Sequence, residues 1–368
     1  MKLFFYTVLI FCLCDTARAQ FSATAANNPL ITYHGRTLVK KSAEVELISS
    51  ASYAEFEFEG DSCIVALTNT ATPGDYNYAA IELDNEYKGR IRVANNYPTN
   101  FTIVATKKIK WHLLRIYKAT EALTGLIGVR YIKAFQVRSS PKLYKKKIEF
   151  IGNSITSGFG DDDKEIPCGN GSKWYDQHNA YWSYAARVAR SLDANFMLST
   201  ISGTGIYRNW NSDGPTVPQQ YESAYLRIDS AERWNFRTFI PDVVVIALGT
   251  NDLSGGDGKT PRKDFDSTIF VDTYIGFLKT IYAHYPSTQI VLLTSAMLNG
   301  YNAKKLLSCL QAIKNSISKH SISPNEIKIF EFRPMNATGC AGHPSLKEHE
   351  TLASELLPFM RAVLKELH

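Results

Sequence analysis

The chain has 368 residues, of which 45% are hydrophobic and 21% charged. These are ordinary values for a globular protein, and the length suits two domains. The formal net charge is +6, with basic residues scattered apart from Lys145, Lys146 and Lys147. That pattern excludes a broad nucleic-acid-binding face, and the trio reads as the solvated start of a buried strand.

In chain order, the first element is a leader. Lys2 supplies a positive start, residues 3–14 an apolar stretch too short for a membrane span, and Ala17, Arg18 and Ala19 a cleavage site. Residues 1–19 are therefore expected to be a signal peptide, with the mature chain starting at Gln20. The bulky residues before Cys12 do not suit lipidation. No later segment approaches the roughly 18 apolar residues of a transmembrane helix. The expected product is secreted or periplasmic, soluble and monomeric, with no membrane partner after cleavage. Cys63, Cys168, Cys309 and Cys340 remain in it. Export permits disulfides, and four cysteines allow three pairings that sequence does not separate. Cys340 stands beside a histidine loop that a bond to Cys168 would tether. No pair has the C-x-x-C spacing of a zinc site.

From residue 20 to 143, short β-rich runs alternate with turns: 45–48, 55–58, 64–67, 79–83, 91–93, 101–105 and 111–117. This predicts a β-sandwich. From 144 to 368 the pattern becomes α/β. Short apolar strands are expected at 148–151, 196–201, 243–248, 290–294 and 327–330. Tyr181, Tyr184, Ala185, Val188, Ala189 and Leu192 share one helical face, as do Phe270, Tyr274, Phe277, Leu278, Ile281 and Tyr285. A last helix follows Pro344, with Leu352, Leu356 and Met360 inward. Strands alternating with amphipathic helices predict a parallel, doubly wound sheet.

Three of these strands run into polar, glycine-containing turns. Gly152-Asn153-Ser154 follows the first, Ser202-Gly203-Thr204-Gly205 the second, and Gly249-Thr250-Asn251-Asp252 the third. Doubly wound sheets bind ligands beyond the carboxyl ends of their strands, so the turns are expected to share a crevice. A serine there needs a base to become a nucleophile and donors for the oxyanion it creates. The Ser154 N–H, the Gly203 N–H and the Asn251 amide would supply the donors. Asp252 is read as a brace for the Asn251 turn through backbone hydrogen bonds. Of eight histidines, His343 is the best base, because it sits in a loop after the last strand and before the last helix. His178 is the runner-up, and His349 is expected to face solvent or packing.

These four blocks, in order and each after an expected strand, resemble the SGNH hydrolase superfamily, whose first block is more often Gly-Asp-Ser. The mature chain resembles carbohydrate esterase family 2 more closely, over roughly residues 30 to 365. The run from Trp111 to Glu121, with His112, Lys118, Thr120 and Glu121, is similar to that family's "H-x-x-x-x-x-K-x-T-E" strand. Residues 202–209 are similar to its second block and 340–344 to its histidine block. The resemblance implies a flavodoxin-like SGNH domain behind a jelly-roll-like sandwich. It also implies secreted O-deacetylation of plant polysaccharides such as acetylated xylan or glucomannan. The chemistry needs no metal or organic cofactor.

One departure matters. SGNH enzymes usually carry an aspartate three residues before the histidine, where this chain has Cys340, and some family members carry an acid two before it, where this chain has Ala341. A Ser154–His343 dyad with a backbone carbonyl as orienter is therefore expected. Asp161, Asp162 and Asp163 are the alternative carboxylates, although such a run reads more readily as a solvated loop. Trp174, Tyr175, Tyr181, Trp182, Tyr207 and Trp210 surround the site in sequence. Tyr181 reads as core, and Trp210 as the best sugar contact. The rival functions are an SGNH lipase or lysophospholipase, for which the polar loops are ill suited, and a carbohydrate-binding protein with little catalysis, which the missing acid would explain.

Overall fold

The computed structural model describes residues 21–171, 173–320 and 325–367. The expected leader lies outside the described residues. Two antiparallel sheets form the N-terminal part. One has the order Thr37–Val39, Val45–Leu47, Ile127–Ala134, Ser62–Asn69 and Thr99–Val104, with Ser22–Ala25 added on Ile127–Ala134. The other has the order Gln136–Arg138, Tyr53–Glu59, Trp111–Lys118, Asn77–Leu83 and Glu86–Val93, with Thr32–His34 added on Tyr53–Glu59.

The sandwich core follows the two-residue period of strands. Ala54, Phe56 and Phe58 meet Leu114 and Ile116 of the same sheet and Val65 and Leu67 of the other. In Ile127–Ala134 the inward residues change from Val129 to Ile132 because a bulge between Val129 and Tyr131 shifts the register. The central strands of the second sheet are buried on both faces. Tyr53, Tyr78, Ala80 and Tyr117 point away from the sandwich core into one shared with the C-terminal domain. This is why Asn77–Leu83 is buried at every position and shows no alternation of polarity.

The C-terminal domain has five parallel strands in the order Asn195–Thr200, Lys147–Gly152, Val243–Ala247, Gln289–Leu293, Lys328–Phe330. All five coincide closely with the expected strands. Among the described residues, seven α-helices accompany them: α1 (Ser154–Ser157), α2 (Tyr184–Ser191), α3 (Val217–Gln220), α4 (Thr250–Leu253), α5 (Ser267–His284), α6 (Gly300–Lys319) and α7 (Leu346–Glu366). Val243 and Val245 face α2 and α7, while Val244 and Ile246 face α5 and α6. The result is a three-layer α/β/α stack. Ser183 caps α2 through the Ala186 N–H, Asp266 caps α5, and Ser345 with Glu348 forms a capping box on α7. Such caps satisfy the orphan amides of the first turn.

The first strand in sequence is flanked by the second and the third. The chain therefore switches direction of progression at the first strand, and a crevice opens beyond its carboxyl end. The two domains are joined by apolar contacts and by Arg36, which is fully buried. It donates to the Ser223 carbonyl at 2.7 Å, the Tyr221 carbonyl at 2.9 Å and Ser199 Oγ at 3.2 Å.

Candidate active site

Ser154 opens α1 directly after the first parallel strand. A Cβ on Gly152 would collide with the Thr156 side chain, so the tight exit from the strand needs glycine there. Asn153 caps the helix, its side chain accepting from the Ile155 N–H at 3.3 Å. The single turn ends at Gly158, which has a positive φ of 76°. Ser154 is thereby held at the strand end and is 7% exposed.

His343 reaches it from the loop before α7. Its Nε2 lies 2.8 Å from Ser154 Oγ, and its Nδ1 lies 3.1 Å from the Ala341 carbonyl oxygen. A carbonyl only accepts, so Nδ1 carries the proton and Nε2 is left to accept from the serine hydroxyl. The expected backbone orienter is thus in place. Ala341 adopts φ 52° to present that carbonyl, a left-handed conformation uncommon for a residue with a Cβ.

The same loop is fastened at Cys340, where a related enzyme would carry its acid. The Cys340 N–H donates to the Gly160 carbonyl at 2.9 Å, and Cys340 is disulfide-bonded to Cys168. Of the three pairings open from sequence, this one ties the histidine loop to the segment following the nucleophile. Cys63 and Cys309 are free and buried.

Of the aspartate run, Asp163 is exposed as in the expected solvated loop, but Asp161 and Asp162 are not. Asp161 and Asp162 are buried. Asp161 accepts from the Asn179 N–H at 2.9 Å, and Asp162 accepts from Asn179 Nδ2 at 2.7 Å. They brace the loop that ends at His178, and neither makes a hydrogen bond to His343. His178 itself is buried against Phe159 and Trp174, with ring centroids 4.2 Å and 5.0 Å away. His349 is fully buried and accepts from the Tyr184 N–H at 3.1 Å, which is the packing role of the two expected.

Sequence reasoning missed Phe159. Its ring stacks on His343 at 4.3 Å between centroids, and Trp174 stacks on Phe159 at 5.6 Å. Gly158 and Gly160, both with positive φ, turn this aromatic toward the imidazole. That Gly-Phe-Gly triplet is the one local signal that could have revealed it. Burial disfavours the imidazolium and pushes the His343 pKa below its ordinary 6.5, with the Ala341 bond acting in the opposite direction. The neutral base is then present above a pKa that lies under 6.5. The acid limb of kcat/KM for 4-nitrophenyl acetate is expected to have its midpoint below 6.5 and to be flat through neutrality. A midpoint above 7 would contradict this.

The two remaining turns face the same end of the sheet. Gly203 has φ 74°, and its missing side chain leaves open space. Asn251 lies in the first turn of α4, and its Nδ2 donates to the Thr204 carbonyl at 2.7 Å. This amide has a second hydrogen to offer. Asp252 performs the bracing expected of it. Its Oδ1 accepts from the N–H groups of Ile206, Tyr207 and Arg208 at 3.0, 3.0 and 3.2 Å. The loop after Asn251 contributes Arg262, which sequence reasoning also missed. It donates to the Asn209 carbonyl at 2.6 Å and the Asn251 carbonyl at 2.5 Å. An arginine spent on backbone carbonyls has no sequence signature. Asp252→Ala strands one buried and two part-buried N–H groups, and at about 1–3 kcal/mol for a fully buried group a stability loss of about 2 kcal/mol or more is expected in urea unfolding.

Trp210 is 46% exposed, and its N–H donates to the Gly203 carbonyl at 2.7 Å, which places it at the rim of the second turn. Tyr181 is core, as expected. Among the described residues, no group of three or more His, Cys, Asp and Glu side chains could hold a metal.

A flavodoxin-type sheet carries a serine–histidine pair beyond its first strand, an arrangement similar to that of GDSL-type hydrolases. Residues 150–323 match the GDSL-like Lipase/Acylhydrolase family, and residues 33–142 match the Carbohydrate esterase 2 N-terminal family. The two matched regions, in this order, make the chain similar to carbohydrate esterase family 2. It is 25% identical over 386 residues to an acetylxylan esterase / glucomannan deacetylase of Cellvibrio japonicus, covering 99% of both chains. It is 28% identical over 339 residues to the cellulase/esterase CelE of Acetivibrio thermocellus, covering 90% of this chain but only 39% of that protein. Among solved structures, a family two carbohydrate esterase from Clostridium thermocellum in complex with cellohexaose superposes with a TM-score of 0.79. It is 26% identical, and the match covers 91% of this chain and 99% of that one.

Proposed function

We propose that this chain is an exported O-acetyl esterase that removes acetyl groups from plant polysaccharides such as xylan or glucomannan. Ser154 Oγ attacks the acetyl carbonyl carbon while His343 Nε2 takes its proton. The Ser154 N–H, the Gly203 N–H and the Asn251 amide hold the oxyanion. Collapse breaks the bond to the sugar oxygen, which leaves with the proton from His343, and an acetyl-enzyme remains. Water, deprotonated by His343, then releases acetate and restores the serine. The observation that carries this reading is the 2.8 Å contact between His343 Nε2 and Ser154 Oγ, with Nδ1 already occupied by a carbonyl.

The acetylxylan esterase / glucomannan deacetylase activity of the Cellvibrio japonicus relative supports the polysaccharide substrate. Trp210 at the rim, and Trp174 beyond Phe159, are exposed aromatic faces that suit apolar sugar faces. The disulfide is consistent with an oxidising compartment. The test is acetate release from acetylated xylan and acetylated glucomannan, with a chain-length series of 4-nitrophenyl esters alongside. Release from at least one polysaccharide, and activity falling from acetate to decanoate, is expected. Rising activity with chain length would instead identify a lipase. Polysaccharide binding without acetate release would identify a binding protein.

A further inference from the structure

The strand Trp111–Lys118 of the sandwich runs on into Ala119, Thr120 and Glu121, and these residues meet the catalytic domain. The Ala180 N–H donates to the Ala119 carbonyl at 2.8 Å. Glu121 is 1% exposed. Its Oε2 accepts from the Ser202 N–H at 2.8 Å, which is the amide immediately before Gly203. Glu121 is itself held from behind: the buried Lys118 Nζ donates to its carbonyl at 2.6 Å and to that of Thr120 at 3.0 Å. Burying a carboxylate is costly unless it is well hydrogen-bonded, and burial pushes this one above the usual carboxylate range, against the pull of Ser202 and Lys118.

The rest of the turn is pinned as well. The Thr204 hydroxyl donates to the Ile201 carbonyl at 2.7 Å, the Gly203 carbonyl accepts from Trp210, and the Thr204 carbonyl accepts from Asn251. The Gly203 N–H takes part in none of these bonds and is available to face a ligand. Three of these anchors come from the catalytic domain, and the fourth, Glu121, comes from the sandwich.

We infer that Glu121 is a positioning residue of the catalytic machinery, through which the N-terminal sandwich sets the aim of the Gly203 oxyanion donor. The inference rests on the esterase reading above. It gives the sandwich a catalytic contribution that requires no contact with sugar. An oxyanion donor acts only when aimed at the developing charge, and misplacement by about 1 Å can cost on the order of 10²-fold. Loss of the Glu121 anchor would leave the substrate pocket intact and loosen one donor, so the deficit falls on kcat.

The test compares Glu121→Met, Glu121→Gln and wild type with 4-nitrophenyl acetate in the full chain, with Ser154→Ala in parallel. Met fills the volume and offers no strong acceptor, whereas Gln keeps a carbonyl oxygen for the Ser202 N–H. The expected result is a kcat about 10- to 30-fold lower for Glu121→Met with KM within about 3-fold, and recovery to within about 3-fold of wild type in Glu121→Gln. Hydrogen–deuterium exchange should quicken in Glu121→Met for the peptide containing Ser202 and Gly203, while distant peptides stay unchanged. Should Glu121→Met fold poorly, Glu121→Gln still decides. A folded Glu121→Gln that has lost activity as fully as Glu121→Met overturns the acceptor role, and so does a folded Glu121→Met with wild-type kcat. If Ser154→Ala retains hydrolysis, the failure lies with the esterase reading; if it abolishes hydrolysis while Glu121→Met is normal, only this inference fails.

Discussion

Ser154→Ala is expected to lower kcat for 4-nitrophenyl acetate on the order of 10⁴-fold or more. Alanine removes the atom that forms the acetyl-enzyme, so the two-step covalent route is closed. What remains is direct attack by water, assisted by the oxyanion donors and by a histidine now aimed at empty space. The fold should hardly notice. The Ser154 hydroxyl makes one bond, to His343, and a single such bond contributes about 1 kcal/mol net. The main-chain bond from the Phe159 N–H to the Ser154 carbonyl, 3.0 Å, stays in place. Parallel measurement of kcat and of the urea midpoint separates the two effects. More than a tenth of wild-type activity in a pure sample would place the nucleophile elsewhere.

His343→Ala is expected to cost on the order of 10³-fold or more in kcat. The serine then keeps its proton, and the leaving oxygen loses its acid. The deficit should not add to that of the serine. Ser154→Ala with His343→Ala should fall within about 3-fold of Ser154→Ala alone, because residues that act as one unit lose their whole contribution at the first deletion. Additive losses would mean that His343 contributes independently of Ser154. The orienting group here is the Ala341 carbonyl, which no side-chain substitution can remove, so His343 itself is the accessible test of the dyad.

Much of this was legible in the chain. The five parallel strands stand where apolar runs end in polar turns, since a strand covered on both faces reads as continuous hydrophobicity. The helical faces of α2 and α5 were visible because a 3.6-residue period survives any detail of packing. The four blocks containing Ser154, Gly203, Asn251 and His343 were legible because a doubly wound sheet carries such turns to one end, and the carbonyl orienter followed from the absence of an acid at positions 340 and 341. The sandwich was harder to read in detail. The central strands of its second sheet are buried on both faces, and a bulge shifts Ile127–Ala134, so simple alternation fails there.

What only the tertiary structure decided are the long-range choices. The partner of Cys340 was one of three possibilities on paper. It is Cys168, 172 residues away in sequence, because the nucleophile loop and the histidine loop fold back upon one another. Asp161 and Asp162 looked like a solvated turn, yet they are buried against Asn179. The Glu121 carboxylate reaches Ser202 across the domain junction, a contact that local pattern does not encode. Local periodicity and turn chemistry act over a few residues, so the sequence by itself determined the elements and the four blocks at their ends. Which buried polar group satisfies which other depends on how separate elements pack, and that decided the support of Ser154, the residue on which the proposed chemistry rests.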